Sequence, residues 1–234
     1  MAPPVHQLRS GLRHTGRDPP GTIESLIASA ALTVLGVVFV GVLVGADDAA
    51  RRVRLFAKPA ASICFVTTAV VNGALDSAYG SWVVVALVLS AIGDVALLGR
   101  SSRMFLFGLG SFLFGHVGYV LAFGVRGLDV MWAAVAFVAL VPPVVFVLVW
   151  LLPHAGSLRI PVVAYTAVIS TMVAAAVGTV GVDLDLRILA GAVAFYLSDL
   201  AVARDRFVAP GRVNRTWGLP LYYAAQFLLA WTVV

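Results

Sequence analysis

The chain has 234 residues, of which 61% are hydrophobic and only 12% charged, with a formal net charge of +5. Soluble domains carry about 25% charged residues, so a mean hydropathy of +1.01 excludes an ordinary soluble fold and makes the bilayer part of the solvent. The basic balance does not signal nucleic acid, because the arginines lie in short loops and no basic run of that type occurs.

Residues 1–21 are polar and rich in Pro, Gly and Arg, which is the composition of a disordered tail. The apolar run 23–44 is too long for a signal-peptide core and is followed by further spans, so it reads as an uncleaved first helix. A helix needs about 20 apolar residues to cross about 30 Å of hydrocarbon. On that rule further spans are expected at 55–71, 80–98, 104–123, 130–152, 160–182, 186–203 and 217–234. Pro142 and Pro143 should kink the fifth. Runs such as 82–98 are apolar on all sides, unlike the alternating strands of a membrane barrel. The expected fold is all-α and polytopic, with about eight transmembrane helices in one domain over residues 22–234.

Eight spans place both termini on one side, here side A. Loops on the opposite side B hold Arg51, Arg52, Arg54, Arg100, Arg103, Arg159, Arg204, Arg206, Arg212 and Arg215, against Arg126 and Arg187 on side A. The positive-inside tendency makes side B cytoplasmic and the termini extracytoplasmic. Arg9, Arg13 and Arg17 in the tail pull the other way.

The two halves show similar marks in one order. Lys58-Pro59 opens the second span and Ile160-Pro161 the sixth. Gly93-Asp94-Val95-Ala96 in the third corresponds to Ser198-Asp199-Leu200-Ala201 in the seventh. Gly108 and His116 in the fourth correspond to Gly218 and Gln226 in the eighth. Such a repeat is a 4+4 parallel one, related by an axis along the membrane normal.

Charged residues inside a span are costly and need a partner or a wet cavity. Lys58, Asp94 and Asp199 are the charged residues well inside spans. Each lies about one helical turn from the side B end, roughly 6–8 Å deep at 1.5 Å per residue. The second and third spans form a hairpin, so Lys58 and Asp94 can pair, with Asp199 facing them. This constellation suits a polar active site or an ion path opening to side B. The bland alternative is a structural Lys–Asp pair with a snorkelling lysine. Gly108, Phe112, His116 and Tyr119 share one stripe of the fourth span, and Gly218, Tyr222 and Gln226 one stripe of the eighth, with Tyr223 beside it. The glycines read as sites of close helix packing. No metal is expected, because only His116 among the four histidines lies in a span, and catalytic zinc takes three protein ligands. Cys64 is the only cysteine, so no internal disulfide can form. No Gly-x-Ser-x-Gly nucleophile elbow is present.

Several of these segments resemble the YhhN family. They are Lys58-Pro59, the run Ser90-Ala91-Ile92-Gly93-Asp94, the run Gly108-Leu109-Gly110-Ser111-Phe112-Leu113 and His116-Val117-Gly118-Tyr119. The run from Gly191 through Tyr196, Leu197, Ser198 and Asp199, then Arg206-Phe207, and Tyr222-Tyr223-Ala224-Ala225-Gln226 complete them. Members often carry Ser or Met where this chain has Tyr196 or Leu197. The likeness runs from about Lys58 to Gln226 and leaves the tail and first span uncovered.

The resemblance implies a lysoplasmalogenase, a multispan enzyme that hydrolyses the vinyl-ether bond of a lysophospholipid to a fatty aldehyde and a glycerophospho-base. No cofactor is implied. The membrane would be the bacterial inner (plasma) membrane, with the site nearer the cytoplasmic face. The chemistry needs an acid to protonate the β-carbon, a carboxylate to stabilise an oxocarbenium ion and a base for water, as paired carboxylates do in glycosidases. Asp94 beside Lys58 is the expected stabiliser or base and Asp199 the acid, although the two roles are interchangeable on sequence alone. Lys58, His116, Tyr119, Ser198, Tyr222, Tyr223 and Gln226 are the expected supporting or substrate-binding residues. The rival is a lipid or small-molecule transporter with a buried Lys–Asp site.

Overall fold

A computed structural model describes residues 22–46, 50–99 and 101–234. The expected disordered tail and Arg100 lie outside the described residues. Eight long helices follow in order: α1 (Ile23–Gly45), α2 (Arg51–Val71), α3 (Ala78–Ala96), α4 (Ser102–Arg126), α5 (Val130–Leu151), α6 (Arg159–Asp183), α7 (Leu186–Ala203) and α8 (Arg212–Ala230). Among the described residues there is no strand.

Local chemistry explains the helix starts. Thr22, Ser77, Ser101 and Asp129 each present a side-chain oxygen to a backbone N–H three residues on, at 3.0–3.3 Å. These caps satisfy amides that have no partner inside the helix. α5 continues through Pro142 and Pro143 as one helix. A π-helical turn, Arg204–Val208, extends α7. Asn214 and Asp205 tie that turn to the start of α8. The Asn214 amide donates to Asp205 Oδ1 and to the Ala209 carbonyl, both at 2.8 Å, and Arg204 donates to Asn214 Oδ1.

Two starts differ from the sequence expectation. α2 begins at Arg51 rather than residue 55, and α8 at Arg212 rather than residue 217. Hydropathy marks where hydrocarbon ends, whereas backbone hydrogen bonding carries the helix on into the polar interface. Lys58-Pro59 therefore lies inside α2 and not at its opening.

Seven helices, α1 to α7, are long and apolar enough to cross a membrane. α8 fails on composition, yet it runs antiparallel along α7 over the same thickness. Ala201 lies against Gly218 near one end, and Gly191 lies against Leu229 near the other. Its polar residues Asn214, Tyr222 and Gln226 are buried, so the average hydropathy understates a helix whose polar face points inward. The protein is an integral membrane protein. α5 buries only Val147 and Leu151 and leaves Met131, Trp132 and Phe146 exposed. That surface suits lipid, not water.

The helices pack as hairpins: α1 on α2, α3 on α4, α5 on α6 and α7 on α8. α2 also packs on α3 and α8, and α6 on α4 and α7. Most of their buried apolar residues form one cluster containing Phe65, Phe112, Tyr119, Phe195 and Tyr223, and Leu151 and Val162 belong to a second, smaller one. At the side A end, Arg126 and Arg187 donate to the carbonyls of Thr232 and Trp231 at 2.9 and 2.8 Å. Both also pair with Asp185. That end is closed by charge pairing. A cavity opens at the other end, and the site lies there.

Candidate active site

A cavity of about 630 Å³ opens at the arginine-rich end, between α2, α3, α4, α5, α6, α7 and α8. Asp94 and Asp199 both line it. Its rim reaches exposed residues Gly99, Ser101, Arg206 and Pro210. Leu109, Val147, Leu151, Val162 and Ile169 give it an apolar wall.

Asp94 is held by three donors from two helices. Lys58 Nζ on α2 lies 3.1 Å from Oδ1. Ser62, one turn further along α2, donates to Oδ2 at 2.6 Å, and Tyr222 on α8 donates to the same oxygen at 2.7 Å. An ionised carboxylate only accepts hydrogen bonds, and this arrangement supplies it with donors alone. The Asp94 side chain is 2% exposed and that of Lys58 14%. A carboxylate this deep requires its partners, because an unpaired buried charge is heavily penalised. Gly93 brings the Phe112 ring against α3, and Phe112 in turn packs edge-on to Tyr222, 5.8 Å between centroids. The neighbouring glycine thus helps aim the tyrosine that bonds Asp94.

Asp199 has a different environment. Tyr165 on α6 donates to its Oδ2 at 2.6 Å. His116 Nε2 on α4 lies 3.5 Å from the same oxygen. No cation pairs with it among the described residues except, if protonated, His116. The histidine's other nitrogen, Nδ1, is 2.6 Å from the Phe112 carbonyl oxygen. A carbonyl only accepts, so Nδ1 carries hydrogen and a neutral ring leaves the Nε2 lone pair facing Asp199. Nε2 is buried and has no hydrogen-bond partner within normal range. The ring is held by Phe195 at 4.4 Å and Tyr165 at 5.3 Å between centroids. Asp199 and His116 can therefore hold one proton between them, as O–H facing N or as imidazolium facing carboxylate.

The two aspartates thus share a cavity but not a chemistry. One faces an ammonium and two hydroxyls, the other a hydroxyl and a basic nitrogen.

The YhhN family model matches residues 53–233. The chain belongs to the YhhN family. Its similar relatives include lysoplasmalogenase TMEM86A of Bos taurus, 31% identical over 64% of this chain, and lysoplasmalogenase of Mycobacterium bovis, 33% identical over 63%. Lysoplasmalogenase TMEM86A of Homo sapiens is 31% identical over 64% of this chain. The match spans 64% of the two mammalian relatives and 58% of the mycobacterial one. No solved structure matches significantly.

In this YhhN-family protein the residues singled out from sequence fall into two groups. Lys58, Asp94, Ser198, Asp199 and Tyr222 line the cavity, and His116 reaches Asp199 from behind its wall. The Ser198 hydroxyl is committed to the Phe195 carbonyl at 2.7 Å. Tyr119, Tyr223 and Gln226 stand outside the lining. Tyr119 donates to Gln226 Oε1 at 2.6 Å and ties α4 to α8, while Tyr223 donates to the Lys58 carbonyl at 3.3 Å. Ser62 and Tyr165 were not singled out, although each hands a hydroxyl to an aspartate. The available signal was spacing: Ser62 precedes Asp94 by 32 residues and Tyr165 precedes Asp199 by 34. Among the described residues, no group of three His, Cys, Asp or Glu side chains could hold a metal ion.

Proposed function

We propose that the cavity is the active site of a membrane-embedded hydrolase that cleaves the vinyl-ether bond of lysoplasmalogen-type lipids. The products are a fatty aldehyde and a glycerophospho-base. The observation that carries this reading is the pair of unlike carboxylates in one cavity, Asp94 with Lys58 at 3.1 Å and Asp199 with His116 at 3.5 Å. Relatives bearing the name lysoplasmalogenase, at 31–33% identity, support it.

The reaction follows from those environments. Asp199, sharing its proton with His116, protonates the β-carbon of the vinyl ether. Positive charge develops at the carbon bonded to oxygen, and ionised Asp94 stabilises it as a carboxylate does in glycoside cleavage. Water adds to that carbon and gives its proton to Asp94. The hemiacetal then collapses. Asp94 returns its proton to the glycerol oxygen as the carbon–oxygen bond breaks, and the hemiacetal hydroxyl proton restores Asp199. The sum is one vinyl ether and one water converted to one aldehyde and one alcohol, with both carboxyls back in their starting states.

The shape suits a single-chain lipid. The apolar wall formed by Leu109, Val147, Leu151 and Ile169 accommodates hydrocarbon, and the arginine-rich rim meets the headgroup layer. With that rim cytoplasmic, as the placement of Arg51, Arg54, Arg103, Arg206 and Arg215 favours, the termini are extracytoplasmic.

The test is direct. Purified protein in detergent, given a 1-alkenyl lysophospholipid, should release fatty aldehyde, while the matching 1-alkyl lipid should yield none. Absence of aldehyde from every vinyl-ether lipid would remove the proposal.

A further inference from the structure

The cavity is polar at both ends and apolar between. Its floor holds Asp94 paired with Lys58, and Asp199, and its rim carries three guanidinium groups. Arg54 lies on α2 about one turn outside Lys58. Arg206 lies in the π-helical turn about two turns beyond Asp199. Arg215 lies on α8 about two turns before Tyr222. At 1.5 Å per residue these offsets put the guanidinium-bearing positions roughly 6–10 Å nearer the surface than the carboxylates. The Arg206 guanidinium stacks over the Phe105 ring at 4.4 Å, and Phe105 packs edge-on to Phe207 at 6.1 Å. That stack orients the group without using its hydrogen-bond donors. The acid at the rim, Asp205, accepts from the Gly211 amide and from Asn214 through Oδ1, which ties the π-helical turn carrying Arg206 to the start of α8, the helix that carries Arg215.

We infer that Arg54, Arg206 and Arg215 form the anchoring site for the phosphodiester of a lysophospholipid, setting its glycerol between rim and floor. The assignment rests on the reading of the floor as the hydrolytic site. Planar guanidinium forks match phosphate oxygens in paired hydrogen bonds. The glycerol backbone separates the ether oxygen from phosphorus by about five bonds, roughly 6 Å when extended, which matches the offset between arginines and carboxylates. The floor offers phosphate no net positive charge, since Lys58 is paired with Asp94, whereas the rim offers three guanidinium groups, so the lipid enters in one orientation, ether inward and headgroup outward. An amine on the headgroup projects past the rim into the exposed layer.

The experiment compares kcat/KM for a 1-alkenyl-glycerophosphoethanolamine and for the corresponding 1-alkenylglycerol, which lacks phosphate. The full chain should prefer the phosphate-bearing lipid by about tenfold or more. Arg54→Ala, Arg206→Ala and Arg215→Ala together should erase that preference, mainly through KM. Arg103→Ala, on the same face but outside the cavity, should keep it. A preference that survives the triple variant overturns the site. A second measurement separates this site from the hydrolase reading: calorimetric binding of a non-cleavable 1-alkyl-lysophospholipid, with glycerophosphate as competitor. Arginine-dependent lipid binding without any vinyl-ether hydrolysis sustains the phosphate site while the hydrolase reading falls. Glycerophosphate binding as tightly as the lipid overturns the headgroup assignment in favour of a free-phosphate site.

Discussion

His116 Nε2 points at Asp199 Oδ2 across 3.5 Å, while its Nδ1 is engaged by the Phe112 carbonyl at 2.6 Å. This relationship separates the two aspartates. Asp94 is surrounded by donors, whereas Asp199 faces a group able to accept a proton from it. A vinyl ether needs both, a fixed negative charge and a transferable proton.

His116→Gln should lower kcat by about a hundredfold and leave KM within about twofold, because a positioned acid–base group contributes about a hundredfold or more and His116 does not line the cavity. Steady-state kinetics with a 1-alkenyl lysophospholipid measures both. An unchanged kcat would show that the proton on Asp199 is managed without the imidazole.

Lys58→Met should destabilise the fold by up to about 3–5 kcal/mol, since it leaves Asp94 buried without its cation. The double variant Lys58→Met/Asp94→Asn should regain most of that loss, because the charge is removed with its partner. Thermal unfolding in detergent compares the three proteins. Equal losses in single and double variants would mean that Lys58 acts through packing of its stem and not through charge.

The spans and the Lys58–Asp94 pair were legible in the sequence because both follow from the cost of charge in hydrocarbon. That cost singles out charged residues and says nothing of neutral partners. Ser62 and Tyr165 therefore carry no mark in the sequence, since hydroxyls occur throughout these helices and only the fold shows which ones face an aspartate. Tyr119 and Gln226 were grouped with the site because they share helical stripes with Phe112 and Tyr222, but a stripe runs the length of a helix and the cavity occupies only one end. The starts of α2 and α8 were misplaced for a related reason: hydropathy averages composition and is blind to direction. The meeting of His116 with Asp199 needed the fold, because no feature of the chain pairs α4 with α7.

Hydrolysis in heavy water should place one deuterium on the carbon next to the aldehyde, provided the product is reduced at once to block exchange. In water labelled with oxygen-18 the glycerophospho-base should remain unlabelled, because water attacks the alkenyl carbon and the glycerol oxygen leaves intact. Mass spectrometry reads both. Label in the glycerol product would place the attack on the other side of the ether and contradict the proposed sequence of steps.

In the proposed reaction Asp94 and Asp199 perform the chemistry together. The kcat of Asp94→Asn and of Asp199→Asn, each measured on protein with unchanged helical circular dichroism, tests it most directly. Each amide keeps the side chain's size and removes its proton chemistry. Both values should fall by about a hundredfold or more. Full aldehyde release by both variants would contradict the account.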